Sequence, residues 1–136
     1  LTLVERDAEA FLPLSRAYAL PKETETQRAE KAETMERALR EACTVPMEIM
    51  ETCGRVAELL REFAEKGSAL AISDAGVGAL FSKAALIGAS LNVLINTKAM
   101  ADRDYASSLE ARADMLLSKY CALADEVYEI VLKRIR

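Results

Sequence analysis

Apolar residues recur at alternating steps of three and four along most of the chain, and this spacing limits the fold more than any other feature. It keeps one face of a 3.6-residue helix apolar, as in helices that pack side by side. The clearest runs lie within residues 25–66 and 104–135. The sequence has no alternating strand pattern and no Asn-Gly or Asp-Gly turn. The predicted fold class is therefore all-α.

Capping residues and helix breakers divide the pattern into four long helices, which short connections would join into an up-down bundle. The predicted helices span roughly residues 1–20, 25–66, 73–101 and 104–135. Thr24 and Gln27 have the spacing of a capping box, and Gly67 is predicted to end the second helix in a left-handed cap. Ser73 and Asp74 are predicted to cap the third helix, with a position facing a cleft as the alternative for Asp74.

Two prolines lie inside these predicted helices. The apolar spacing of the second helix continues through Pro46, so we expect that helix to bend at Pro46 and not to end there. Pro13 should kink the first helix in the same way. The chain as a whole, residues 1–136, shows no linker or internal repeat, which predicts a single helical domain.

The chain contains no histidine. This excludes an imidazole-based catalytic triad, a histidine-ligated zinc site and a histidine pH switch. The three cysteines lack Cys-x-x-Cys spacing, so no metal is expected. Any acid–base chemistry must use Asp, Glu, Lys, Tyr or Cys.

The overall charge and the start of the chain bear on its partners and location. A net charge of −4 gives no support for a nucleic-acid surface. No basic stretch followed by an apolar run indicates a secretory signal, and the cysteines fit buried, reduced thiols, so we expect a cytoplasmic protein. Because residue 1 is Leu and not Met, the chain is expected to be a piece of a longer protein.

The third predicted helix is rich in small residues and is apolar almost all round. A helix of this kind is expected to be buried, with its neighbours close to its backbone. A membrane span is the rival interpretation, but Lys83, Asn92 and Asn96 interrupt the apolar stretch. We therefore expect no membrane partner. Lys83 itself would extend its amine to solvent, with a base of depressed pKa as the alternative.

Asn92 and Asn96 are the sharpest local feature, because they lie one turn apart on one face of this apolar helix. Buried amides need hydrogen-bond partners, so the pair could fix the register of neighbouring helices. It could equally read the donor–acceptor edge of a flat polar ring. Taken singly, Asp7, Lys22 and Arg28 have the character of ordinary surface charges.

Several segments, in order along the chain, resemble the cyclodeaminase/cyclohydrolase family. This family includes the C-terminal domain of formimidoyltransferase-cyclodeaminase and bacterial methenyltetrahydrofolate cyclohydrolase. The resemblance is carried by Arg-Asp-Ala-Glu-Ala-Phe at 6–11, Ala-Tyr-Ala-Leu-Pro-Lys at 17–22, Arg28, Ala-Cys-Thr-Val-Pro at 42–46, Ser73-Asp74, and Ala-Ala-Leu-Ile-Gly-Ala-Ser-Leu-Asn-Val-Leu-Ile-Asn at 84–96.

The resemblance implies an all-helical homodimer that acts on one-carbon tetrahydrofolates, with the folate as substrate. Its reaction would be that of a methenyltetrahydrofolate cyclohydrolase or a formimidoyltetrahydrofolate cyclodeaminase. The implied roles are carboxylate catalysis by Asp7 and Asp74 with Lys22 as their cationic partner. The implied substrate-binding residues are Arg28 for the glutamate tail and the Asn92–Asn96 pair for the pterin.

The sequence departs from the family in one respect. Family members usually begin with further helices that carry a Pro-Gly-Gly-Gly stretch, and this sequence has none. The alternative interpretation is therefore a non-catalytic helical module for dimerisation or partner binding.

Overall fold

The computed structural model describes residues 2–136, and these residues form a bundle of four α-helices without strands. The helices are α1 (Thr2–Tyr18), α2 (Glu25–Lys66), α3 (Ile72–Ala99) and α4 (Arg103–Ile135), and a 3₁₀ turn, Ala69–Ala71, leads into α3. The predicted all-α class and the four long helices are confirmed, with ends that shift by one or two residues. Residue 1, which the prediction included in the first helix, lies outside the described part of the chain.

The core lies between α2, α3 and α4, and small side chains allow these helices to approach closely. Leu39, Met50, Val93 and Val127 are among its fully buried large residues. Alanines fill the points of closest approach, and a Cβ added at Gly54 would overlap the ring of Tyr120. α1 packs against α2 and contributes Leu14 and Ala17 to the core, which leaves the remaining faces of α1 open.

The helix ends show where local sequence patterns succeed and fail. Thr24 and Gln27 form the predicted capping box, with Gln27 N–H donating to Thr24 Oγ1 at 3.2 Å. Gly67 ends α2 in an extended conformation, φ −73°, so the predicted left-handed cap is wrong. The predicted cap at Ser73 and Asp74 is also wrong, because the 3₁₀ turn feeds directly into α3 and places both residues inside its first turn.

Pro46 lies within the continuous helix α2 and leaves one carbonyl without its helical partner. In an α-helix the carbonyl of Ala42 would accept from the N–H of residue 46, which proline lacks. Asn96 of α3 supplies the missing donor, with its Nδ2 at 3.4 Å from the Ala42 carbonyl oxygen. The amide of Asn96 thus links α3 to the interrupted turn of α2. A bend at Pro46 stays a prediction.

The outer face of α3 contradicts the expectation that this helix is buried on all sides. The segment Ala69–Ala99 has a mean hydropathy of 1.6, which makes it long and apolar enough to cross a membrane by composition, yet only 28% of its apolar window is buried. Its exposed large side chains are Val77, Leu80, Phe81, Ile87, Leu91, Leu94 and Ile95. α3 packs against α2 and α4, whereas α1 packs mainly against α2, so one side of α3 has no neighbouring helix along most of its length.

We predict that the stability contributions of Asn96 and Pro46 are coupled. Asn96→Ala should cost about 1–3 kcal/mol, because it leaves the Ala42 carbonyl unpaired. In a Pro46→Ala background the new N–H bonds that carbonyl, so the same substitution should cost at least about 1 kcal/mol less. Urea unfolding of the four variants measures this coupling. The control is Asn92→Ala, an exposed asparagine one helical turn before Asn96. If Asn96→Ala costs the same stability in both backgrounds, Asn96 does not compensate for Pro46.

We also predict a loss of stability at alkaline pH that depends on Cys43. This thiol is 1% exposed, and burial raises its pKa from 9.0 to about 11. Below pH 9 it is protonated in both states; between pH 9 and 11 only the unfolded chain ionises, so stability falls by up to about 1.4 kcal/mol per pH unit. The slope of unfolding free energy against pH should be shallower in Cys43→Ala. Identical slopes would rule out this origin.

Candidate active site

A groove between α1, α2 and α3 brings together three of the six predicted site residues. We call it the amide groove, and its volume is about 250 Å³. It is lined by Asp7, Ala8, Phe11, Ala42, Pro46, Asn92, Ile95 and Asn96. The groove therefore joins the predicted carboxylate on α1 to the predicted amide pair on α3, next to the proline-interrupted turn of α2.

The position of Asp7 follows from the way α1 is attached. Asp7 lies two turns before the buried Leu14, so both face α2 and α3. The preceding residue, Arg6, forms a two-pronged ion pair with Glu48 of α2 at 2.9 and 2.7 Å. The hydrogen bond from Arg6 lowers the pKa of Glu48. Asp7 itself is half-buried, with its carboxylate at the groove.

The two amides serve different purposes. Asn96 is half-buried and donates one N–H to the Ala42 carbonyl, which fits the first of the two alternatives for the pair, the fixing of helix register. Asn92, one turn earlier, is exposed in the groove wall, and its amide faces no burial cost. The Asn92 amide and the side-chain oxygen of Asn96 can therefore meet the donors and acceptors of a ligand.

Apolar side chains form the outer walls of the amide groove. Phe11 is 53% exposed and Ile95 is 68% exposed, although both belong to otherwise packed helices. A flat ring placed between these walls would cover apolar surface with its faces and meet amide groups and a carboxylate at its edge. The arrangement suits a planar heterocycle that carries positive charge.

Lys22 and Arg28 lie at the corner between α1 and α2, away from the amide groove. Both side chains are exposed, and Arg28 Nη1 donates to the carbonyls of Lys22 and Glu23 at 3.4 and 3.0 Å. Lys31, which sequence reasoning missed, donates to two further carbonyls at the end of α1. The corner begins seven residues beyond Phe11, about 10 Å along the helix axis.

Asp74 is not brought to the groove within a single chain. It is exposed in the first turn of α3, 18 residues before Asn92, so about 27 Å of helix separates them. The six predicted residues thus fall into three places: the amide groove, the α1–α2 corner and the start of α3.

The structure contradicts one of the two alternatives predicted for Lys83. Its Nζ lies 2.6 and 2.7 Å from the two carboxylate oxygens of Asp125 on α4. These hydrogen bonds raise the pKa of Lys83, so the hypothesis of a base with depressed pKa is wrong. The amine is a cation that joins α3 to α4.

A second cavity, of about 340 Å³, lies between α2 and α4 and contains residues that sequence reasoning missed. The guanidinium of Arg40 lies 4.3 Å from the ring centroid of Tyr105 and 2.6 Å from Asp102, while Arg112 pairs with Glu51. Each cation already has a carboxylate partner, which makes this cleft a less suitable site for an anionic ligand. Within residues 2–136, no cluster of three or more Cys, Asp or Glu side chains could hold a metal ion.

The Ala42 carbonyl is the other groove feature that sequence reasoning missed. The sequence did contain the information, because a proline inside a continuing helix removes the backbone donor for the carbonyl four residues earlier. Which helix supplies the donor depends on the tertiary arrangement.

Comparisons with known proteins agree on one family. The sequence model of the formiminotransferase-cyclodeaminase family matches residues 1–115. The chain is 37% identical over 133 residues to a methenyltetrahydrofolate cyclohydrolase of Methylorubrum extorquens, a match that covers 98% of this chain and 64% of that protein. It is 35% identical over 118 residues to a formimidoyltransferase-cyclodeaminase of Mus musculus, covering 87% of this chain and 22% of that protein.

The fold has a counterpart among solved structures. A crystal structure of formiminotetrahydrofolate cyclodeaminase from Thermotoga maritima superposes with a TM-score of 0.71 at 28% identity, covering 98% of this chain and 60% of that one. The chain thus spans less than two thirds of the length of each of these three relatives. The family model, the sequence identities and the shared fold together show that the chain belongs to the formiminotransferase-cyclodeaminase family.

Proposed function

We propose that this chain provides the folate-binding site of a one-carbon tetrahydrofolate enzyme, either a methenyltetrahydrofolate cyclohydrolase or a formimidoyltetrahydrofolate cyclodeaminase. The observation that carries the proposal is the amide groove, where Asp7 meets Asn92 and Asn96 between apolar walls. The named activities of the relatives supply the substrate class.

The pterin ring of the substrate would lie in the amide groove. Its faces would contact Phe11 and Ile95, and its polar edge would meet the amide of Asn92 and the free oxygen of Asn96. The one-carbon unit would then face Asp7 from α1. The carboxylate would stabilise the positive charge that the methenyl bridge carries.

In the cyclohydrolase direction, a water molecule adds to the carbon of the methenyl bridge, and Asp7 accepts the proton that the water loses. One carbon–nitrogen bond of the adduct then breaks, and the nitrogen that leaves takes up a proton. The product carries a formyl group, and one proton is released overall. Little electrophilic assistance is needed, because the bridging carbon is already cationic.

In the cyclodeaminase direction, the second folate nitrogen attacks the carbon of the protonated formimidoyl group. Asp7 would carry the proton from that nitrogen to the departing nitrogen, which leaves as ammonia. The methenyl bridge forms as a cation, so charge and protons balance. Both reactions need the same carboxylate beside the same carbon, so one groove fits either reaction.

The anionic tail of the substrate would extend along α1 to the corner that holds Lys22 and Arg28. The corner begins about 10 Å beyond Phe11, a distance that an extended aminobenzoyl-glutamate chain can span. Arg28 uses one nitrogen on backbone carbonyls, and its remaining donors are available to a carboxylate. We also propose that the protein is cytoplasmic and works as a homodimer.

We predict that Asp7→Asn lowers turnover by about a hundredfold, because the amide cannot accept the proton. Turnover is measured as the decay of methenyltetrahydrofolate absorbance and as ammonia release from formimidoyltetrahydrofolate. The control is Glu9→Gln, an exposed carboxylate on another face of α1, which should stay within about twofold of the parent. A parent protein that neither speeds the decay nor releases ammonia would favour the non-catalytic module.

We predict that Arg28→Gln weakens binding of tetrahydrofolate about tenfold, because a charge-assisted hydrogen bond to the glutamate tail is lost. Tetrahydropteroate, which has no glutamate, should bind the variant and the parent equally well. Isothermal titration calorimetry compares the four pairs. Equal weakening of both ligands would assign Arg28 to the shape of the corner and not to the tail.

A further inference from the structure

Arg6 and Asp7 lie on opposite sides of the line along which α1 packs onto the bundle. Successive residues of an α-helix are about 100° apart, so the two side chains fall about 50° to either side of this line. Asp7 consequently faces the amide groove, whereas Arg6 lines a separate depression on the other side of α1, beside Glu41 and Thr44 of α2. The side chains on the packing line itself are buried or half-buried: Leu3, Ala10, Leu14 and Ala17.

The C-terminal half of α1 is anchored by packing and by hydrogen bonds. Both buried side chains of the helix, Leu14 and Ala17, belong to this half. Beyond them, the Nζ of Lys31 donates to the carbonyls of Tyr18 and Leu20 at 2.7 Å each. The core and the α1–α2 corner therefore fix this end of the helix.

The N-terminal half of α1, which carries Asp7, lacks such anchors. None of residues 2–10 is buried. Within residues 2–136, the ion pair of Arg6 with Glu48 is the only one that joins α1 to another helix. Two guanidinium nitrogens contact the two carboxylate oxygens, and this two-pronged geometry fixes direction as well as distance. The pair therefore limits how far this half of α1 can rotate about its axis.

A small rotation of α1 would displace the carboxylate of Asp7. A helix with its side chains has a radius of about 5–6 Å, so a rotation of about 20° moves the end of a side chain by about 2 Å. Misplacement of a catalytic group by about 1 Å can lower a rate about a hundredfold. The amide groove has a volume of only about 250 Å³, so a displacement of this size changes where the carboxylate lies relative to a bound ring.

We propose that Arg6 is a positioning residue, because its ion pair with Glu48 holds α1 in the rotation that directs Asp7 into the amide groove. The catalytic part of this inference rests on the proposed function. Arg6 does not line the amide groove, so it acts through Asp7 and does not contact the folate.

Loss of the ion pair should change turnover more than it changes stability. The side chains of Arg6 and Glu48 are 50% and 42% exposed, and ion pairs with such exposure contribute little to the free energy of folding. Arg6→Gln and Glu48→Gln should each lower kcat about tenfold, with KM within about twofold of the parent and a nearly unchanged urea midpoint. The double variant should lose no more than either single variant. Arg6→Lys keeps the charge without the two-pronged contact and should retain an intermediate kcat.

The matched control removes a different exposed ion pair between two helices. Arg61 of α2 lies 3.2 Å from Glu126 of α4, and these side chains are 46% and 47% exposed. Arg61→Gln should keep kcat within about twofold of the parent. If it lowers kcat as much as Arg6→Gln does, the effect is not specific to Asp7 and the proposal is wrong. A higher KM at unchanged kcat in Arg6→Gln would make Arg6 a substrate-binding residue and would also overturn the proposal.

A double-mutant cycle shows whether Arg6 acts through Asp7. In an Asp7→Asn background, Arg6→Gln should cause no further loss of kcat, because the carboxylate that Arg6 positions is already gone. A tenfold loss in both backgrounds would assign Arg6 to another role.

An NMR measurement without substrate separates this inference from the proposed function. The side chain of Asn92 lines the same groove as Asp7, so its amide signal should move when Asp7→Asn is introduced into the parent. In Arg6→Gln the same substitution should move that signal less than half as far. Equal movement in both backgrounds, or no movement in the parent, would overturn the positioning role. A parent that shows the expected movements but no folate turnover would instead overturn the proposed function.

Discussion

The hydrogen bond from Asn96 to the Ala42 carbonyl ties the candidate site to the fold. Pro46 removes the helical partner of that carbonyl, and an unpaired buried carbonyl would be costly. Satisfying it from α3 fixes the register of α3 against α2. The same register places Asn92 in the groove that Asp7 of α1 also lines. One missing backbone hydrogen bond in α2 thus helps to determine which side chains line the groove between α1, α2 and α3.

The two faces of α3 differ in composition and in burial. The inner face, which packs against α2 and α4, consists mostly of small residues, with Leu86 and Val93 as its large buried side chains. The outer face carries large apolar side chains that neither α2 nor α4 covers. Exposed apolar surface of this extent is typical of an interface.

Local patterns in the sequence predicted the four helices and the capping box, because both depend on residues a few positions apart. They failed at Ser73 and Asp74, where an unrecognised 3₁₀ turn shifted the helix start. The spacing also showed that α3 is apolar without showing how many neighbours it has. The joining of Asp7 to Asn92 and Asn96 depends on tertiary contacts, so the residues suggested it only through the family resemblance. The separation of Asp74 from Asn92 could have been predicted, because Asp74 lies 18 residues before Asn92 in one helix. The position of Lys22 and Arg28 relative to the amide groove could not, since it depends on how α1 packs against α2.

The position of a bound folate shows whether the amide groove is the folate-binding site. Amide chemical shifts of the isotope-labelled protein, titrated with the stable 5-formyltetrahydrofolate, would locate it. We expect the largest shifts at Asp7, at Phe11 and at the side-chain amides of Asn92 and Asn96, with smaller shifts at Arg28. Shifts confined to Arg40, Tyr105 and Arg112 would place the ligand in the cleft between α2 and α4 and would contradict the account.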